Sequence, residues 1–260
     1  MNKISTMVIS ALIACLILPL SVLADSHEER GGLADVWLMK IKDGMEDEFV
    51  AAAKEHMAMR AAKGDSREWE GYRSVIGDHV NLIQFRACCY DWAELDGYDK
   101  ESMEKGFDEH WGENVGQYVD HYHHYLETMD WENSHWPDGE RTDGPYFGVT
   151  SWTYKMGGGS ASGDAMKEMS RIAKEVGWGD NNEWLWHSRV GGKPMLMIVN
   201  SNASYAEMAP AEKSFFEVVS EHLGSDEAAQ AMFDQFSSGL AGSDYTIWMS
   251  DEDLTDPRDE

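Results

Sequence analysis

The chain has 260 residues, which is enough for two domains of ordinary size, and 42% of them are hydrophobic. Its 48 Asp and Glu residues outnumber 21 Lys and Arg, so the formal net charge is −27. Such a charge repels nucleic acid and anionic membrane surfaces, which excludes these partners, and it suits a protein that works in a salty medium.

Residues 1–24 have the pattern of a cleavable signal peptide. Lys3 supplies the positive start, residues 7–18 form an apolar run that is short for a membrane span, and Val22-Leu-Ala24 gives the cleavage site. We therefore expect a periplasmic or secreted protein without stable membrane insertion. Lipidation at Cys15 is the alternative that we do not favour.

After the signal peptide, one order of elements occurs twice: strand, helix, strand, strand, helix, strand. We predict a first unit over residues 33–136, a linker over 137–145, a second unit over 146–254 and an acidic tail over 255–260. The predicted strands of the two units are 36–41, 69–76, 80–87 and 123–131, then 146–154, 184–190, 195–200 and 245–249. The predicted helices are 46–62 and 98–118, then 164–177, 212–223 and 225–236.

The predicted strands are apolar on both faces. Leu196 and Ile198, for example, alternate with Met195, Met197 and Val199. A sheet covered by helices on one side and by water on the other would instead alternate with polar residues. We therefore predict two antiparallel sheets packed face to face, with helices outside and an apolar cavity between the sheets.

The repeated order, the opening segment Val36-Trp-Leu-Met-Lys-Ile-Lys-Asp-Gly-Met-Glu-Asp-Glu-Phe49 and the aromatic-Ala-Glu segments that begin at Trp92 and Tyr205 resemble one superfamily. This is the dimeric α/β-barrel superfamily, which includes antibiotic-biosynthesis monooxygenases, polyketide cyclases and haem-degrading oxygenases. The resemblance implies an α+β fold in which two fused ferredoxin-like units form a barrel within one chain. It also implies a cavity for a small hydrophobic or aromatic molecule, but no single chemistry.

Five residues are candidates for catalysis in such a cavity. His187 and Arg189 share one face of a predicted strand, and an imidazole beside a cation in an apolar cavity can support proton transfer. Tyr72 or Arg73 occupies a similar place in the first unit, and His56 lies on the apolar stripe of the first helix. The plain alternative is a hydrogen-bonded structural pair for His187 and Arg189, and a core residue for His56.

Four further residues are candidates for ligand binding. Gln84 and Arg86 share a face of the third strand, and a buried Arg86 needs a partner, either a neighbouring acid or a ligand carboxylate. Trp152 and Trp248 could stack on a ligand, although most of the 11 Trp residues are expected in the core.

A histidine-rich stretch is the candidate metal site. His121 and His123 would share a face of an extended strand, whereas His121 and His124 would be neighbours on a helix. Acids such as Glu127 could complete such a site. The alternative is a polar junction. No cofactor is favoured, and a divalent metal or a haem, as in the chlorite dismutases that this plan also resembles, is the alternative.

Cys88 and Cys89 are adjacent, and neighbours on a strand point to opposite faces. We therefore expect thiols rather than a disulfide between them.

Three functions remain open. The first is an exported small-molecule-binding protein or a cofactor-independent enzyme of the oxygenase, cyclase or isomerase kind. The second is a non-catalytic extracellular accessory or interaction module, and the third is a haem or metal protein. Whether the chain is an enzyme stays undecided, and a homodimer is a further possibility.

Overall fold

The computed structural model describes residues 31–136, 144–179 and 183–257. The predicted signal peptide, most of the predicted linker and the last three residues lie outside the described residues. The strands are β1 Leu33–Ile41, β2 Trp69–Ile76, β3 Leu82–Tyr90, β4 Val119–His135, β5 Tyr146–Tyr154, β6 Trp184–Val190, β7 Met195–Asn202 and β8 Leu240–Ser250. The helices are α1 Glu46–Ala62, α2 Trp92–Lys105, α3 Phe107–Asn114, α4 Gly159–Val176, α5 Phe215–Leu223 and α6 Asp226–Ser238.

The eight strands close into one antiparallel barrel, in the order β1-β3-β2-β8-β5-β7-β6-β4. Each unit contributes four consecutive strands of this order, and the units meet where β2 pairs with β8 and where β4 pairs with β6. The predicted fold class is confirmed: two ferredoxin-like units in one chain form the barrel, with their sheets facing each other and their helices outside.

Helices cover the outer surface of the barrel because the outward strand residues are apolar. In the first unit, Phe49, Ala53 and Met57 of α1 pack on Ile83 and Phe85 of β3. In the second unit, Trp152, Trp186 and Leu196 pack under α4 and α6. Burial of these side chains stabilises each helix on its sheet. Among the described helices, none combines the length and apolarity that a membrane crossing requires.

Inward residues fill one end of the barrel. This apolar plug contains Ala34, Val36, Tyr125, Met129 and Leu185, with Cys88 and Cys89 packed against it. The two cysteines form a disulfide across a cis peptide bond, so our expectation of thiols is wrong. The β1–β3 register shifts there, with Ala34 opposite Cys88 and Leu33 opposite Tyr90. Strict alternation of faces therefore does not apply to Cys89.

Three helix starts differ from the prediction by three residues or more, and one of them is helix α5, which begins at Phe215 rather than at residue 212. Helix α2 begins at Trp92 rather than at residue 98, because Asp91 caps it and the Glu94 carboxylate accepts a 2.6 Å hydrogen bond from the Asp91 N–H. Helix α4 begins at Gly159 rather than at residue 164. The glycines allow Gly158 to approach Gly239, since a Cβ on Gly158 would lie 2.2 Å from the Gly239 carbonyl oxygen.

The segment after β8 is packed rather than free. Leu254 is fully buried in the outer core of the first unit, and the Asp256 N–H donates to the Trp69 carbonyl oxygen at 2.8 Å. Residues 251–256 are therefore held against the first unit. One apolar side chain holds this segment against β2.

Candidate functional site

A cavity of about 380 Å³ lies inside the barrel next to the apolar plug, and Tyr125 belongs to both. This volume falls in the range of pockets that hold small organic ligands. Its walls are side chains that alternate along the strands with the residues under the helices. They include Tyr72, Gln84, Arg86, Tyr125, Glu127, Phe147, Arg189, Lys193, Asp244 and Trp248.

One side of the cavity, the polar wall, is formed by Arg86 on β3, Tyr125 and Glu127 on β4, and Arg189 on β6. The Arg86 Nε lies 3.5 Å from the Glu127 Oε2, and the guanidinium carbon of Arg189 lies 3.8 Å from the centre of the Tyr125 ring. Two cations therefore share one carboxylate on this wall. The Arg189 charge also rests on an aromatic face, which stabilises a cation in an apolar setting.

His187 supports this wall from the deeper end of the barrel. Its Nδ1 lies 2.9 Å from the Glu127 Oε2, and both side chains are buried. Burial alone would raise the pKa of Glu127, but the hydrogen bond and charge of His187 and the charges of Arg86 and Arg189 outweigh it and lower the pKa to about 2. Glu127 is therefore ionised at neutral pH, while burial raises the pKa of Tyr125.

The opposite side, the apolar wall, is formed by Tyr72, Phe147, Val149, Val199 and Trp248. It spans the junction of the two units, where the Tyr72 and Phe147 rings meet edge to face at a centroid distance of 5.4 Å. A ligand in this cavity would therefore contact charged groups on one side and aromatic or aliphatic groups on the other.

The two walls break the symmetry of the repeat. Tyr72 pairs with Gln84 as His187 pairs with Met197, so Tyr72 and His187 occupy equivalent places in the two units. By the same strand pairings, Arg86 of the first unit occupies the place that Val199 occupies in the second, and Glu127 occupies the place of Trp248. The charged members come from β3, β4 and β6, whereas their equivalents are mostly apolar.

The mouth of the cavity lies beside two equivalent hairpin turns. His79, in the β2–β3 turn, and Lys193, in the β6–β7 turn, both reach the cavity, together with Asp244 at the outer part of β8. Gly191 and Gly192 precede Lys193 with φ of 96° and 68°, which a residue with a side chain adopts only with strain. The tight turn brings Lys193 back over the opening.

The structure brings together six of the twelve residues that the sequence singled out. Arg189, Tyr72, Gln84, Arg86 and Trp248 line the cavity. His187 lies on the same strand face as Arg189, directly behind Glu127. The sequence did not indicate Glu127 as a partner of these residues, nor Tyr125 as part of the wall.

Three candidates lie outside the barrel. Arg73 points outward and forms ion pairs with Glu46 and Asp251. Trp152 packs against Phe236 under the helices at a centroid distance of 5.3 Å. His56 is fully buried beside α3, within 3.0 Å of His110 and 3.1 Å of Arg60. None of the three touches the cavity.

The histidine-rich stretch forms part of β4, near the mouth. His121 and His123 share a face, with ring centres 5.3 Å apart, whereas His124 lies on the outer face, stacked on Trp37 and 2.8 Å from Asp35. The three imidazoles therefore do not converge. Within the described ranges, no group of three His, Cys, Asp or Glu residues is arranged to hold a metal ion.

Comparison with known proteins identifies the fold. No protein-family model matches the sequence, and no curated protein does. A chlorite dismutase variant from Candidatus Nitrospira defluvii has a TM-score of 0.54 at 12% identity, over 88% of this chain and 96% of that chain. An anthrone oxidase-like protein has a TM-score of 0.53 at 12% identity, over 89% of this chain and 96% of that chain. The chain has the dimeric α/β-barrel fold. At this identity, the likeness shows the fold and not the activity.

The haem that this fold carries in some proteins does not fit the described residues well. A haem needs an axial ligand that points at an open slot. His79 stands exposed at the mouth of the barrel cavity, and His187 lies behind Glu127 rather than on the cavity wall. Outside the barrel, Trp152, Trp186 and Phe236 fill the layer between the second sheet and its helices. A haem therefore does not fit the described residues.

Proposed function

We propose that the protein binds a small, largely apolar molecule that carries an acidic group, inside the barrel cavity. The observation that carries this proposal is the division of the cavity into a polar and an apolar wall. Arg86 and Arg189 both lie near Glu127, so these three side chains of the polar wall together carry one net positive charge. A ligand carboxylate, phenolate or enolate would balance that charge.

The location of these cations supports the same conclusion. The whole chain carries a net charge of −27, so its outer field repels anions. Cations placed in a dry, narrow space act over short distances, where salt does not screen them. An acid that reaches the cavity would therefore bind through Arg86 and Arg189, while its apolar part packs on Phe147, Val149 and Trp248.

A pair of probes tests this proposal. 2-Naphthoate and the neutral 2-naphthamide have nearly the same shape, and two fused rings suit a cavity of this volume. Isothermal titration calorimetry at 150 mM salt should show at least tenfold tighter binding of the acid, about 1.4 kcal/mol or more. The variant Arg189→Met should lose this preference. Arg171→Met, which removes a surface arginine paired with Glu168 and Glu175, is the matched control and should keep it.

Two results would contradict the proposal. Equal affinity for the acid and the amide would mean that the polar wall does not select an anion. Absence of binding for both would mean that the cavity does not accept a ligand of this class.

A second candidate is cofactor-independent catalysis on such a ligand, of the isomerase, cyclase or oxygenase kind. The observation that favours it is the buried His187–Glu127 pair beside Arg189. The Glu127 carboxylate, which lines the cavity and contacts His187, can take up a proton from the ligand, and the nearby Arg189 guanidinium can stabilise the resulting enolate. An exported accessory module would need no such cavity, and so the interior supports ligand binding over that alternative. We keep export itself as a proposal.

A further inference from the structure

The carboxylate of Glu127 uses only one of its two oxygens within the described part of the protein. The Oε2 lies 2.9 Å from the His187 Nδ1 and 3.5 Å from the Arg86 Nε. The Oε1 has no hydrogen-bond partner among the described residues. A charged oxygen is unfavourable in a protein interior unless a hydrogen bond replaces the water that it has lost. A further group is therefore needed beside the Oε1.

The space beside the Oε1 is the barrel cavity. Among the described residues, only the His187 Nε2 and the Arg189 Nε are side-chain polar atoms that are both enclosed and unpaired. The Glu127 Oε1 is unpaired but is not enclosed, so it has open space next to it. Because Glu127 is buried and lines the cavity, this open space belongs to the cavity.

The Glu127 Oε1 can only accept a hydrogen bond. Burial alone would raise the pKa of Glu127, but the contact with His187 and the charges of Arg86 and Arg189 lower it to about 2. The carboxylate therefore has no proton to donate at neutral pH. A ligand group in front of the Oε1 is favourable only if it carries an O–H or an N–H.

Arg86 brings this acceptor close to the acidic group of a ligand. Its Nη2 donates to the Met129 Sδ at 3.6 Å, and a thioether sulfur is a weak acceptor. Arg86 can therefore give a stronger hydrogen bond to a ligand acid. An acid bound there would lie near Glu127, and the two negative charges would repel each other. A ligand hydrogen that points at the Oε1 would offset this repulsion.

We propose that the Glu127 Oε1 is a subsite for a hydrogen-bond donor of the ligand. The ligand class is then an apolar acid that also carries an O–H or N–H group on the side that faces Glu127. This inference rests on the proposed function, because it places the acid at the arginines of the polar wall. It adds a contact in which the ligand donates and the protein accepts.

Aminonaphthoates test the subsite, because an aromatic amine is neutral at pH 8, donates through its N–H groups and is close to a methyl group in size. 2-Naphthoates with an amino group at position 4, 5, 6 or 7 are compared with their methyl counterparts by isothermal titration calorimetry. At these positions the amine does not bond to the carboxylate of its own molecule. At least one amino compound should bind about tenfold more tightly than its methyl counterpart, since hydrogen bonds to ionised acceptors are among the stronger ones.

Glu127→Gln should abolish this preference. The Arg86 Nε–H is always a donor, so the amide oxygen should take the place of the Oε2 and the amide N–H groups the place of the Oε1. Plain 2-naphthoate should bind more tightly to this variant, because the nearby negative charge is gone. Glu168→Gln removes an exposed acid that pairs with Arg171 on α4, and as the control for charge it should keep the amino preference. Far-UV circular dichroism and the urea midpoint of each variant check that the barrel is intact.

The outcomes distinguish the two proposals. If 2-naphthoate is preferred to 2-naphthamide but no amino compound exceeds its methyl counterpart, the inference is overturned and the proposed function stands. If the amino preference persists in an intact Glu127→Gln protein, the amine contacts another acceptor and the inference is again overturned. If Glu127→Gln does not fold, the comparison of amino and methyl compounds on the parent protein decides alone. If none of the acids binds, the proposed function fails and this inference fails with it.

Discussion

Glu127 is the residue at which the interior charges of the barrel meet. It accepts from His187, lies beside Arg86 and stands opposite Arg189. The sequence could not indicate this role, because Glu127 is one of 48 acidic residues and its partners are about 40 to 60 positions away. Strand alternation predicted only that Arg86 shares a face with Gln84 and Arg189 with His187, because side chains on a strand follow a period of two. Pairing across strands needs the register, which closure of the barrel sets.

His56 gives a prediction about acid stability. Burial, and then the neighbouring Arg60 and His110, lower its pKa from the ordinary 6.5 to about 3. Between these values the unfolded chain binds a proton that the folded chain does not. Stability should therefore fall as the pH drops from 6.5 towards 3, by about 1.4 kcal/mol for each pH unit from this group.

Urea unfolding of His56→Gln tests that prediction. The variant should be less stable than the parent at pH 7, because it disturbs a buried site, but the difference should shrink by about 2 to 3 kcal/mol between pH 6 and pH 4. The exposed His121→Gln is the control and should follow the parent curve. Parallel curves for His56→Gln and the parent would show that His56 titrates normally.

At the scale of elements, β2 and the segment after β8 depend on one glycine. Gly71 packs directly on Leu254, and a Cβ at position 71 would lie 2.2 Å from the Leu254 Cβ and 2.8 Å from its carbonyl carbon. The backbone of residue 254 would therefore have to move. The Gly71 carbonyl also accepts from the Asp251 N–H at 2.9 Å, so the displacement would extend along the segment.

Gly71→Ala should therefore destabilise the protein by about 1 to 3 kcal/mol in urea unfolding. It should also make residues 251–257 sensitive to limited proteolysis. Gly97→Ala is the matched control: it lies in α2 with no atom near its added Cβ, and it should stabilise by about 0.5 to 1 kcal/mol. A stable Gly71→Ala protein with a protected C-terminus would contradict this account of the contact.

Most elements followed from periodicity, and the errors have local causes. Helix α1 and strands β2, β5 and β6 begin and end where the sequence predicts. Helix α2 starts early because of the capping box at Asp91 and Glu94, a short signal that the polar sequence around Gly97 obscures. Helix α4 extends into glycines that the approach to Gly239 requires, and no local pattern reveals a contact about 80 residues away.

At the scale of the molecule, the two units hold each other through β2–β8 and β4–β6 pairing. Burial of the apolar inner faces also holds the units together, because each unit alone would expose its half of the cavity and of the plug to water. Facing sheets were predictable from strands that are apolar on both sides. The closed order of eight strands was not, because edge pairing leaves no pattern in the side chains.

This architecture predicts that the covalent link between the units is dispensable once the barrel has formed. A protease site inserted between Trp136 and Gly144, then cleaved, should leave two fragments that elute together in gel filtration under native conditions. They should separate only in denaturant. The uncleaved protein with the same insertion is the control. Separation in native buffer would show that the two junctions are too weak to hold the barrel closed.

The difference between the two walls of the cavity depends on both units being encoded in one chain. In an assembly of two identical subunits, each substitution is made twice, so an arginine at one position would face its own copy across the axis. A single polypeptide that encodes both halves escapes this duplication. Val199 can stay aliphatic while Arg86 is charged, and Trp248 can stay aromatic while Glu127 is acidic. Tandem duplication thus permits an asymmetric cavity that holds its ligand in one orientation, whereas a twofold-symmetric homodimer would offer two equivalent orientations.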